Sequence, residues 1–272
     1  MATIKGTNKK DTLKGNNNDD VLLGRGGDDT LLGGGGNDKI DAGNGADELV
    51  GGKGNDLLLP GQGRADSIDG GDGIDTVSYA NYKPSSNIGV VIQLNPDTTL
   101  ADYDAEGDDF ANVERFIGTS ATDNFYFYRH DVAQGYYVNG GRGGDQLKVE
   151  GGIMRGGYGI DTLLGDGNDQ YVDTFWLELN KGSDEIIGFT DGQDIVRISG
   201  KEFGIGTLLN SDELFNQTDS IATGTKAQFI YRMGANQLYF DGDGSGSDAA
   251  VMIADFGSNG PKSLTLSDFE VV

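Results

Sequence analysis

Eight aspartates recur near the start of the chain: Asp11, Asp20, Asp29, Asp38, Asp47, Asp56, Asp66 and Asp75. Every step is nine residues except the ten between Asp56 and Asp66. Two residues after each stands an aliphatic: Leu13, Leu22, Leu31, Ile40, Leu49, Leu58, Ile68 and Val77. Two residues before most of them stands Gly or Asn, so the unit reads G-G-x-G-x-D-x-U-x with U aliphatic. Carboxylates stacked at the ~4.8 Å spacing of neighbouring strands cannot all stay charged without cations between them. Sites built only from oxygen suit Ca²⁺, whereas Mg²⁺ demands a stricter octahedron and keeps its waters. An acidic linker is the competing reading, but a linker would not keep an aliphatic at the same place eight times running.

Composition narrows the chemistry further. The 272 residues carry 44 Asp+Glu against 20 Lys+Arg, a formal charge of −24. Such a chain repels nucleic acid and anionic membranes, so neither is an expected partner. Cysteine is absent, which removes disulfides and thiolate metal sites. One histidine, His130, rules out an HExxH zinc centre. No G-x-S-x-G elbow and no Walker A loop occurs. The expectation is therefore a protein with no enzymatic activity. The aromatic run Phe125, Tyr126, Phe127, Tyr128, Tyr136 and Tyr137 could stack on sugars, but core packing is the expected role.

The repeat implies the elements that position the carboxylates. Its glycine half tolerates left-handed backbone and can turn tightly, leaving carbonyls free to point at one spot. Its D-x-U-x half is a short strand with U turned inward. Two units make one coil, so units n and n+2 share an edge. Asp20, Asp38, Asp56 and Asp75 form one file, and Asp11, Asp29, Asp47 and Asp66 the other. The ten-residue slip over Pro60–Ala65 makes Asp47 with Asp66 the weakest expected site. Thr7, Lys9 and Asn16 stand where glycine is expected, so the first coil reads as a weak cap.

GGGGNDKID (33–41), GGKGNDLLL (51–59) and GGDGIDTVS (70–78) resemble the nonapeptides of the RTX proteins at every defining position. The resemblance implies an all-β fold: a parallel β-roll, a right-handed β-solenoid, with an interrupting strand excursion and a β-rich C-terminal cap. It implies several Ca²⁺ ions between successive turns. Their ligands would be carboxylates of the two files, together with carbonyls such as those of Gly33, Gly35, Gly51, Lys53, Gly70 and Asp72. It also implies type I secretion through an uncleaved C-terminal signal, here LTLSDFEVV, and no classical N-terminal signal or membrane-spanning run is present. Cell-surface polysaccharide or other surface proteins are the candidate partners. RTX rolls often follow a catalytic domain, and repeats beginning at residue 6 favour a structural, surface-layer, matrix or adhesin role over a polysaccharide-acting module.

Four segments follow from the composition: a first repeat block over 1–78, a strand-rich excursion over 79–117, a second, imperfect block over 118–170, and the cap over 171–272. The period resumes in GTSATDNFY (118–126, with Asp123), GGRGGDQLK (140–148) and GGYGIDTLL (156–164). Asp145 and Asp161 would then share a calcium, while the opposite edge is empty or fed by Asp169. In the cap, Ser211 is a candidate helix N-cap. DGDGSGSD (241–248) matches the first half of an EF-hand loop but places Met252 where the closing Glu belongs, so a polar hairpin loop is expected there.

Overall fold

A computed structural model describes every residue except 64, 85–86, 96–97, 103–106, 129–134, 168–170 and 180, so His130 and Asp169 lie outside the described residues. The fold is almost entirely β, a parallel β-solenoid, and divides into two compact units, Met1–Gly141 and Arg142–Val272.

In the first unit each repeat becomes one strand and one turn. Thr12–Lys14, Thr30–Gly35, Glu48–Lys53, Ser67–Asp72 and Asp109–Ala111 pair in parallel as one sheet. Thr3–Lys5, Val21–Gly26, Lys39–Gly45, Leu57–Leu59, Thr76–Ser78, Arg115–Ile117 and Tyr137–Arg142 form the other. Partners are two repeats apart, so the U positions stack: Leu13 on Leu31 on Leu49 on Ile68, and Leu22 on Ile40 on Leu58 on Val77. Leu22, Leu31, Ile40, Leu49, Leu58 and Val77 are fully buried. Each such side chain contributes roughly 1.5–3 kcal/mol of burial. The tight stacking also explains the glycines. A Cβ on Gly54, whose φ is 114°, would lie 2.2 Å from the Gly36 carbonyl oxygen of the preceding coil.

Between Ser78 and Asp109 the chain leaves the repeat. Ile88–Asn95 pairs in parallel with Thr122–Phe127 and antiparallel with Thr98–Asp102. It then returns to register, with Asp109–Ala111 on Ser67–Asp72 and Arg115–Ile117 on Thr76–Ser78. An aromatic core closes this junction. Phe116 packs on Phe110 and Phe127 at 5.4 and 4.7 Å between ring centroids, and Phe127 on Tyr136 at 5.0 Å. Phe125 and Phe127 are fully buried, as core packing requires.

The second unit keeps the two-sheet plan. Ile153–Tyr158, Thr174–Trp176, Ile195–Ile198 and Phe269–Val271 run parallel, so residues of LTLSDFEVV form a strand of the sheet. Gln146–Val149, Thr162–Leu164 and Asp184–Ile187 form the other face. It is extended by Val251–Asp255, Gln237–Asp241, Gln228–Arg232 and Leu214–Gln217. The helix expected at Ser211 is absent: Glu213 accepts from the Asn210 backbone and side-chain nitrogens in a turn, and Leu214 begins a strand. The one α-helix among the described residues is Gly200–Phe203, capped by Ser199 and ended by Gly204 at φ 67°. Residues 241–248 connect two antiparallel strands, the hairpin the sequence suggested. Among the described residues no helix is long and apolar enough to cross a membrane.

Candidate metal centres

The aspartates form two ladders along the turns of the first unit. Each backbone N–H donates to the Oδ1 of the aspartate one coil on. In one file Asp20 donates to Asp38, Asp38 to Asp56 and Asp56 to Asp75, each at 2.7 Å. In the other, Asp11 donates to Asp29 and Asp29 to Asp47 at 2.7 Å, and Asp47 to Asp66 at 2.8 Å. The slip over Pro60–Ala65 therefore leaves the ladder unbroken. An ionised acceptor makes each rung stronger than a neutral one.

The ladder uses one oxygen per carboxylate. The Oδ2 atoms of Asp29, Asp38, Asp47, Asp56 and Asp75 are buried with no hydrogen-bond partner, as is that of Asp161 in the second unit. A buried acceptor left unmade costs about 1–3 kcal/mol, more when charged. Five to six repeats of the same unmet atom are a pattern and not an accident of packing. At Asp29, Asp38, Asp56 and Asp75 this atom faces a backbone carbonyl across a gap that glycine leaves open. A Cβ on Gly33 would lie 2.4 Å from Asp38 Oδ2 and 2.5 Å from the Gly51 oxygen. One on Gly51 would lie 2.3 Å from Asp56 Oδ2 and 2.5 Å from the Gly70 oxygen.

Burial above all pushes the carboxyls of Asp38, Asp47 and Asp75 up to about 6, and like charges in the same file add to the rise. Burial likewise takes Asp66 up to about 8. Without a cation these groups resist ionisation. Among the described residues no three His, Cys, Asp or Glu side chains converge on a point. A cation here would accordingly draw most of its ligands from carbonyls. The donor set is all oxygen, with a carboxylate on each turn, and it fits Ca²⁺.

The structure brings together most of the residues the sequence singled out. Gly33, Gly51 and Gly70 present carbonyls to the gaps beside Asp20, Asp38 and Asp56. Gly35, Lys53 and Asp72 stack in register on the same edge, and the Asp72 carbonyl accepts the Gly54 N–H at 2.8 Å. Asp145 donates its N–H to Asp161 at 2.8 Å, as the second block's spacing implied. Asp20 differs from expectation. Its Oδ1 accepts from the Ala2 N–H and its Oδ2 from both nitrogens of Asn16, so neither oxygen is left over.

Several ladder residues escaped the sequence reading. Asp66 donates to Asp108 and Asp75 to Glu114, across separations of 42 and 39 residues that hide the period. The buried Tyr79 hydroxyl donates to Asp108 Oδ2 at 2.7 Å. In the second unit Asp161 donates to Asp184, Asp173 to Asp194, and Gly192 to Asp268. Gly151 donates to Asp173, which thus serves the edge left open for Asp169. Burial raises Asp173 to about 7 and Asp184 to about 8. An acidic residue two positions before an inward apolar residue, as in DTFW and DEII, was the available signal.

The family model of the RTX calcium-binding nonapeptide repeat (four copies) matches residues 3–31 and 24–58. No curated protein matches the chain. Among solved structures, the extracellular lipase LipA from Serratia marcescens is similar at 17% identity with a TM-score of 0.30. That match covers 99% of this chain and 40% of the lipase, so the chain spans well under half the lipase's length. A score that low carries no argument about activity. The repeats, the solenoid and the unmet carboxylate oxygens lead to one conclusion: residues 3–58 are a block of RTX calcium-binding nonapeptide repeats.

Proposed function

We propose that the chain is a secreted protein that folds on meeting extracellular calcium and then acts as a structural or interaction protein, without catalytic chemistry of its own. The observation that carries this reading is the series of buried, unpartnered Oδ2 atoms at Asp29, Asp38, Asp47, Asp56 and Asp75. A divalent ion in each gap would satisfy two coils at once and offset part of the −24 charge. Ligation by residues that come together only in the folded roll makes binding free energy into folding free energy. Inside a cell, sites tuned to ~10⁻⁴–10⁻³ M calcium stay empty, and a glycine-rich chain of this charge stays unfolded and exportable. Residues 171–272 would serve as the cap, and the acidic C-terminal strand as the export signal. A surface layer, matrix or adhesin setting, with surface polysaccharide or surface proteins as partners, fits a stacked acidic repeat.

The test is circular dichroism of the full chain in EGTA, with calcium then restored and magnesium as control. The reading predicts loss of β signal in EGTA and recovery with calcium alone. An unchanged spectrum in EGTA would contradict it.

A further inference from the structure

Ten of the ladder turns fall into two classes, and one residue separates them. Asp29, Asp38, Asp47, Asp56, Asp75 and Asp161 keep Oδ2 unpartnered. The residues four positions before them are Arg25, Gly34, Gly43, Gly52, Gly71 and Gly157, all left-handed, with φ from 82° at Arg25 to 112° at Gly52. That conformation turns the N–H away from the carboxylate. Asp11, Asp20, Asp123 and Asp194 have Thr7, Asn16, Thr119 and Thr190 in the same place, none of them left-handed. Here the N–H folds back onto Oδ2, at 2.6 Å from Thr7, 3.0 Å from Asn16 and 2.8 Å from Thr119 and Thr190. The side chain of Thr7, Asn16 or Thr119 adds a second hydrogen bond. This is the turn chemistry of Ser, Thr and Asn closing on a nearby acceptor.

A matching cradle of carbonyl and carboxylate occurs in both classes. A Cβ on Gly24, in an open turn, would lie 2.5 Å from the Ala42 oxygen and 2.6 Å from Asp29 Oδ2. On Gly15 and Gly118, in closed turns, it would lie 2.2 and 2.3 Å from the Gly33 and Gly140 oxygens, and 3.1 and 2.6 Å from Asp20 and Asp123 Oδ2. Carbonyl and carboxylate are in place either way, and only the occupant of the gap differs.

We propose that the residue four before each ladder aspartate decides whether a turn takes calcium, and that Thr7, Asn16, Thr119 and Thr190 replace the ion with hydrogen-bond donors of the chain itself. This rests on the calcium reading above. The closed turns lie at the start of the first unit, at the return from the excursion and beside the Ile195–Ile198 strand, so they bound the calcium array and hold their shape without an ion.

The experiment counts calcium bound per full-length chain, by native mass spectrometry and equilibrium dialysis, for wild type, Asn16→Gly, Thr119→Gly and the control Arg25→Gly. Each of the first two variants should take up about one ion more than wild type. Arg25→Gly should leave the count unchanged, because that residue is already left-handed. A wild type that loads calcium while neither variant gains an ion overturns this inference alone. A changed count in Arg25→Gly overturns it too, since the side chain and not the backbone would then decide. A wild type that takes up no calcium overturns the proposed function and this inference with it.

Discussion

The two units solve one electrostatic problem in different ways. In the first, buried aspartates at 29, 38, 47, 56 and 75 each leave an oxygen with no donor. In the second, buried Glu178 is held by Arg155 and Lys181, and Arg197 pairs with Glu270. Burial pushes the Glu178 carboxyl up, but those two cations outweigh it and hold it below its usual range. Arg155 and Arg197 also lie over the Trp176 ring, at 5.1 and 5.5 Å from its centroid. One region thus needs its counter-charge from outside, and the other carries much of its own. Asp161 is where the second unit retains the first unit's arrangement.

Mutations can sharpen this contrast. Leu49→Ala and Leu163→Ala strike what the units share, a fully buried aliphatic file. Each should cost ~2–5 kcal/mol in calcium-saturated thermal or denaturant unfolding. Asp56→Ala removes a rung of ~1.5–3 kcal/mol and a calcium oxygen together. It should raise the calcium concentration needed for folding more than Asp56→Asn, which keeps the Oδ1 acceptor. Equal midpoints for the two, which both lack the charge, would mean the Oδ1 acceptor adds nothing. Glu178→Gln should cost a similar ~1.5–3 kcal/mol, yet leave the calcium midpoint of the first unit's hydrogen-exchange protection in place. A shifted midpoint there would dissolve the distinction between the units.

Acidification offers a further test. The folded-state carboxyls of Asp38, Asp47 and Asp75 lie near 6 and that of Asp66 near 8, above the usual 3.8. The cation-free fold therefore binds more protons than the unfolded chain. The stabilisation is complete below about pH 4 and is lost as pH rises through 6 to 8. In EGTA, β structure should grow as pH falls from 8 toward 5, whereas in calcium the same change should weaken ion binding. The smallest effect belongs to Glu270→Ala. Its side chain is 44% exposed, and the loss should be ~0–1 kcal/mol in thermal unfolding.

The nine-residue spacing made the first unit legible. It implied the two files, the stacked Leu/Ile core and the parallel pairing, because a repeat of constant length forces constant register. Legibility failed where length varied. Asp108 and Glu114 are ladder residues reached only after the excursion from Ser78, and no local pattern joins them to Asp66 and Asp75. The helix expected at Ser211 gave way to a turn because Glu213 reaches back to Asn210. Asp20 looked like its neighbours in the repeat, but Asn16 supplies its second oxygen with donors. The aspartate spacing locates the carboxylates, whereas the residue four before each governs what faces them.

Calcium anomalous diffraction from crystals grown in calcium tests the central claim most directly. The account predicts peaks at ~2.3–2.6 Å from Oδ2 of Asp29, Asp38, Asp47, Asp56, Asp75 and Asp161, and none beside Asp11, Asp20, Asp123 or Asp194. A folded roll with no peak at those six oxygens, or with peaks at the self-capped aspartates instead, would contradict it.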